Sequence, residues 1–195
     1  FAGSGAALAA MVGVGLVATN GAYYRGKLTD QQRFYLSYLG FNFELYRSGL
    51  CFTHDRAPSF NANECLRLVP ERQNFLMSGD SHAAHLWRAF SEKFPKINFM
   101  QATMGACAPL LDEGDPECRL FNNKIWKFLS NTPIDGIILT YRWRNPDFFR
   151  LKLTIDYIKK YNYNIYILGP TPEFTSQVPW LLASLGEKAS EEAAP

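Results

Sequence analysis

From Asn74 onward, short apolar runs alternate with longer stretches whose apolar residues fall three or four apart. "NFLMSG" (74–79), "INFMQA" (97–102), "IDGIILTY" (134–141) and "NIYILG" (164–169) have the length and content of buried strands. Between them, "SHAAHLWRAFSEKF" (81–94) places Ala84, Leu86, Trp87 and Phe90 at helical spacing. "CRLFNNKIWKFLSN" (118–131) carries Leu120, Phe121, Ile125, Phe128 and Leu129 on one broad face, and "PDFFRLKLTIDYIKKY" (146–161) predicts a third helix. This alternation predicts an α/β domain, with a central parallel sheet and helices on its faces. Such sheets bind ligands beyond the C-terminal ends of their strands. Here each strand runs into small or polar residues: Gly79-Asp80-Ser81, Thr103 to Gly105, Thr140 to Arg142, and Gly169 to Thr171. Four loops on one rim can build one site.

The pattern before Asn74 is different. Residues 1–24, "FAGSGAALAAMVGVGLVATNGAYY", carry no charge, and Arg25 ends the run. About 20 apolar residues are enough to cross a bilayer, and the many Gly and Ala residues suit close helix packing there. A transmembrane helix, the last of several, is the expectation. A buried Gly-rich segment is the rival, and a signal peptide lacks its basic n-region. Residues 25–70 read as a connecting extension. Thr29 or Asp30 is placed to cap a helix, and "CFTHDRAPSFNANEC" is rich in turn residues. The remaining residues, 71–195, form the α/β domain.

Composition narrows the functional classes. The chain has 195 residues, 47% of them hydrophobic, with a formal net charge of +2. That balance gives no reason to expect a nucleic-acid partner. Cys51, Cys65, Cys107 and Cys118 allow three pairings. Pairing sequence neighbours, Cys51 with Cys65 and Cys107 with Cys118, closes two short loops and places the domain in an oxidising compartment. Four reduced thiols are the alternative. No Cys/His spacing suggests a metal site.

The chemistry centres on "SGDSHAAHL". Ser81 sits where the first strand meets the first helix. A helix N-terminus offers unpaired N–H groups and a partial positive charge, which can stabilise an oxyanion. Gly79 permits a tight turn, and Asp80 can cap the helix or orient the turn. The plain alternative is that Ser81 is only a cap. The stretch is not the G-x-S-x-G elbow, because Ala83 stands at the second glycine position.

"LMSGDSHAAHL" resembles the first block of the SGNH hydrolase superfamily, whose signature is G-D-S. The ordered series "NECLRLVPERQNFLMSGDSHAAHLW", "ATMGACAPLL", "IILTYRW" and "ILGPTPEF" is similar to the SGNH domain fused to membrane acyltransferases of the acyltransferase-3 family. The resemblance covers nearly the whole chain. It implies an SGNH-hydrolase-like (flavodoxin-like) three-layer sandwich with a central parallel sheet, preceded by an apolar N-terminal helix. It also implies a bacterial inner-membrane protein whose SGNH domain is periplasmic.

The implied activity is O-acylation, chiefly O-acetylation, of cell-envelope glycans through a Ser81 acyl-enzyme. The partners implied are a glycan acceptor and a membrane acyltransferase domain in the same chain. No tightly bound cofactor is implied; an acyl donor derived from acetyl-CoA would serve the membrane domain. Gly105 or Ala106 would supply an oxyanion N–H, although Ala106 stands before Cys107 where glycine is usual. Arg142 and Trp143 replace the family's common third-block Asn, with Asn145 too far along. His85 is expected to contact substrate, His82 to point away from Ser81, and His54 to lie on the surface. The catalytic His of the family comes from a later D-x-x-H block. No histidine follows His85 here, so the fragment is expected to stop before that block. A carbohydrate esterase and a non-catalytic glycan-binding module are the alternatives.

Overall fold

The computed structural model describes residues 28–40, 44–53, 60–112, 114–144, 147–169, 171, 172, 174 and 176–185. It divides into two units, residues 42–171 and a smaller one built from 1–41 and 172–195. The larger unit holds a five-stranded sheet: β1 (Phe52–Thr53), β2 (Gln73–Gly79), β3 (Ile97–Met104), β4 (Gly136–Thr140) and β5 (Asn164–Leu168). All neighbours pair in parallel, in the order β1-β3-β2-β4-β5. The four expected strands are present, and the helices between them are α3 (Ser81–Lys93), α4 (Pro116–Asn131) and α5 (Asp147–Ile158). The short α2 (Ala62–Cys65) precedes β2, and the smaller unit contains α1 (Asp30–Leu36) and α6 (Val178–Leu185).

Strands covered on both faces need apolar residues at every position rather than at alternate ones. β2 from Phe75 to Gly79 and all of β4 are buried accordingly. On one face, Leu76, Met100, Ile137 and Leu139 pack with Ile125, Trp126 and Leu129 of α4 and Leu151 and Ile158 of α5. On the other, Phe75, Met77, Phe99 and Ile138 pack with Ala83 of α3. These two cores make the three layers. Helix starts are chemically marked: the Asp80 carboxylate caps α3, and the Asp115 carboxylate caps α4 with Pro116 in the first turn.

β1 was not legible in the pattern. Two residues are too few to show a period, and they lie within the expected extension. Cys51 nonetheless holds the strand in place, its carbonyl accepting the Thr103 N–H and the Thr103 hydroxyl, each at 3.1 Å. Cys51 is bonded to Cys65, and Cys107 to Cys118, the pairing of sequence neighbours. Closing a loop of roughly this size removes about 3 kcal/mol of unfolded-chain freedom. A Cys107→Ser/Cys118→Ser protein is therefore expected to lose about 3 kcal/mol of stability and unfold at lower denaturant, with a slope equal to or steeper than wild type because its unfolded chain is less constrained. An unchanged midpoint would show that the bridge contributes nothing.

In the smaller unit, Thr29 caps α1 through a reciprocal box with Gln32, whose side-chain amide also donates to the Ala183 carbonyl of α6 at 2.8 Å. Among the described residues no helix is long and apolar enough to cross a membrane. The expected span at 1–24 lies outside the described residues, as do His54 and Asn145.

Candidate active site

Register brings the strand ends together. Gly79 of β2 pairs with Thr103 of β3 on one side and Thr140 of β4 on the other, and Thr140 pairs with Leu168 of β5. Adjacent strands lie about 4.8 Å apart, so the segments after Gly79, Met104, Thr140 and Leu168 leave the sheet on one rim. Ser81 is central among them.

Gly79 is required at this junction. A Cβ built on it would fall 1.7 Å from the Thr140 carbonyl oxygen, and its φ is +155°. The chain then turns into α3, with Asp80 as N-cap and Ser81 as the first helical residue. The Asp80 carboxylate accepts the His82 N–H at 2.9 Å and faces His82 Nδ1 at 3.1 and 3.2 Å. Asp80 is buried, and His82 is partly so. Capping is thus done by Asp80. Among the described residues the Ser81 hydroxyl makes no hydrogen bond, and the half-buried Ser81 presents a backbone N–H that the cap leaves unused.

The structure separates Gly105 from Ala106. The Gly105 N–H donates to the Thr53 carbonyl at 2.9 Å and so belongs to the sheet. Ala106 follows in a turn closed by the Cys107 N–H on the Met104 carbonyl at 3.1 Å, and its own N–H meets no acceptor among the described residues. Ala106 is exposed, with φ at 55°. This left-handed geometry favours glycine over alanine. Ala106→Gly is expected to stabilise the fold by about 1 kcal/mol, read as a raised melting temperature. A lowered one would contradict the strain.

His85 lies one turn beyond Ser81. Its ring keeps an exposed edge, yet the atoms around it disfavour the charged form and lower its pKa. A hydrogen bond to the Ser81 backbone and the Asp80 carboxylate oppose that shift, while His82 adds to it. The His82 and His85 rings are 6.3 Å apart. His82 is thus held on Asp80, and His85 bonds the Ser81 backbone rather than its hydroxyl.

Beyond β4, Arg142 is exposed on the rim. Trp143, expected to meet substrate, is buried, and its indole N–H donates to the Leu168 carbonyl at 2.6 Å. It braces the β4 and β5 ends against each other, and its face is not open to a sugar. Tyr141, which sequence reasoning passed over, is half-buried beside Trp143, with ring centroids 5.6 Å apart. Burial, then the nearby Asp147 and Asp80 carboxylates, raise its pKa. The available signal was its place at a strand end, next to Arg142. Among the described residues no three His, Cys, Asp or Glu side chains converge as metal ligands would.

Residues 50–195 match the family model of the SGNH domain (fused to AT3 domains). Among solved structures, the lipopolysaccharide acetyltransferase periplasmic domain of Salmonella ser. Paratyphi A is similar. Its TM-score is 0.62 at 23% sequence identity, covering 86% of this chain and 67% of that one. No curated protein matches the chain.

Proposed function

The chain belongs to the family of SGNH domains fused to AT3 domains, and from that premise we propose that it transfers acyl groups, chiefly acetyl, to hydroxyls of cell-envelope glycans through Ser81. The observation that carries this is the rim itself. Among the described residues the Ser81 hydroxyl, at a helix start, makes no hydrogen bond, and the Ser81 and Ala106 N–H groups on neighbouring strand ends meet no acceptor.

Ser81 Oγ attacks the acyl carbonyl and forms an ester as the donor departs with the proton. The oxyanion takes hydrogen bonds from the Ser81 and Ala106 N–H groups, strengthened by the positive end of α3. A sugar hydroxyl then attacks the ester, releasing Ser81. Arg142, exposed on the same rim, is assigned to the acyl or sugar oxygens. We assign the proton acceptor to a D-x-x-H histidine outside residues 1–195, since His82 is engaged by Asp80 and His85 by the Ser81 backbone.

We further assign residues 1–24 to the last transmembrane helix of the membrane domain, 25–70 to an extracytoplasmic extension that lends β1 to the sheet, and 71–195 to the SGNH domain. The two disulfides and the periplasmic relative support an extracytoplasmic, periplasmic placement. That similar structure is of a lipopolysaccharide acetyltransferase, which supports a glycan acceptor here.

The same nucleophile serves an esterase, and only the second acceptor differs. The full-length protein, given an activated acetyl ester, is expected to divert product from water to oligosaccharide as acceptor is added, with saturation. Hydrolysis dominating at high acceptor concentration would identify an esterase instead.

A further inference from the structure

A second polar recess lies away from the Ser81 rim. β1 pairs with β3 at Thr103 and Met104, and among the described residues the outer edge of β3 from Ile97 to Met100 has no strand beside it. The notch is a cleft of about 330 Å³ lined by Arg47, Glu64, Arg67, Trp87, Asn98 and Phe99, among others. That volume is at the small end of the range for ligand sites.

Its walls are fixed. The Trp87 indole N–H donates to the Phe99 carbonyl at 2.6 Å, capping the open strand edge. The Asn98 amide donates to the Arg67 carbonyl and to Asn74 Oδ1, each at 2.8 Å. Arg47 sits at φ 56°, and its carbonyl accepts the N–H groups of Leu50, Cys51 and Phe52. Cys51 is in turn bridged to Cys65, which lines the cleft.

The Arg47 guanidinium lies over the Trp87 ring, 4.5 Å from its centroid. A guanidinium carries its N–H donors in one plane, in a fork that matches the two oxygens of a carboxylate. Among the described residues no carboxylate comes within 4.0 Å of it to form an ion pair. Glu64 acts on it only at longer range, and burial lowers its pKa below the usual arginine value. A half-buried cation that has lost water and has only a distant carboxylate is stabilised by an anion that enters beside it.

We propose that this cleft binds an acidic sugar residue of the acceptor glycan, with its carboxylate on Arg47 and Arg67 and its hydroxyls on Glu64 and Asn98. This rests on the glycan reading of the Ser81 site. Trp87 lies six residues beyond Ser81 on α3, about 9 Å along the helix axis. The cleft and Ser81 thus share one helix, and the cleft would select acceptors by charge.

The test follows the Trp87 indole N–H resonance of the full-length protein, assigned with a Trp87→Phe variant. The titrants are a glucuronate-containing oligosaccharide, its carboxyl-reduced neutral counterpart, and inorganic phosphate. Saturable movement with the acidic oligosaccharide is expected, with binding at least about tenfold weaker for the reduced one and for Arg47→Gln. If Arg47→Gln fails to fold by circular dichroism, Arg67→Gln serves, and it must weaken acidic binding while leaving the fold intact. Equal binding of the reduced sugar, no movement at all, or phosphate binding as tightly as the acidic sugar would each overturn the assignment. Ser81→Ala must bind like wild type. Active glycan acylation without acidic-sugar binding removes the cleft alone, and binding with a Ser81→Ala protein that still acylates removes the Ser81 role alone.

Discussion

Ser81→Ala in the full-length protein is expected to cut glycan acylation by about a thousandfold or more while the melting temperature stays within a degree or two of wild type. Both halves follow from one local arrangement. The Ser81 hydroxyl makes no hydrogen bond among the described residues, so its removal costs the fold nothing. The cap that holds α3 is the Asp80 carboxylate on the His82 N–H. If Ser81 were instead a structural cap, its loss would cost about 1 kcal/mol and leave acylation near normal. Asp80→Ala is the contrasting variant, since it removes the observed cap. Acylation at the wild-type level by Ser81→Ala would end the nucleophile assignment.

Gly79→Ala is expected to lower stability by about 3 kcal/mol or more, a fall of about 6–12 °C in melting temperature for a chain of this size. The added Cβ would meet the Thr140 carbonyl oxygen at 1.7 Å, its carbon at 2.9 Å and the Ala83 Cβ at 3.1 Å. The first two are backbone atoms of the neighbouring strand and cannot rotate away. β2 and β4 must part for the methyl to fit, so the Ser81 turn moves with them and acylation falls as well. A variant melting within two degrees of wild type would show that the junction is looser than the structure indicates.

The βα alternation was legible because β2, β3 and β4 are largely buried on both faces and so appear as unbroken apolar runs. The Ser81 turn was legible because a capping carboxylate and a glycine mark a strand-to-helix junction in the sequence, although the contact that requires Gly79, the Thr140 carbonyl, lies across the sheet. What sequence could not provide was set by contacts across the sheet. β1 exists through its pairing to β3, beside the Cys51–Cys65 bridge. The choice between Gly105 and Ala106 turned on a bond from Gly105 to Thr53, 52 positions earlier in the chain. The family resemblance implies a substrate contact at Trp143, and its burial and its bond to the Leu168 carbonyl were set by contacts across the sheet. Arg47 carried no motif, and its interest arises from Trp87 lying beneath it.

The order β1-β3-β2-β4-β5 puts β2, which delivers Ser81, at the middle of the sheet. Sheets fray from their margins, and local opening there costs far less free energy than opening the centre. The two-residue β1 and the largely exposed β5 are those margins. Amides of Phe75 to Gly79 should therefore be the last to exchange with solvent deuterium, while those of Asn164 to Leu168 exchange early. Ser81 is thereby anchored to the most persistent part of the fold, and opening at the margins leaves its position undisturbed.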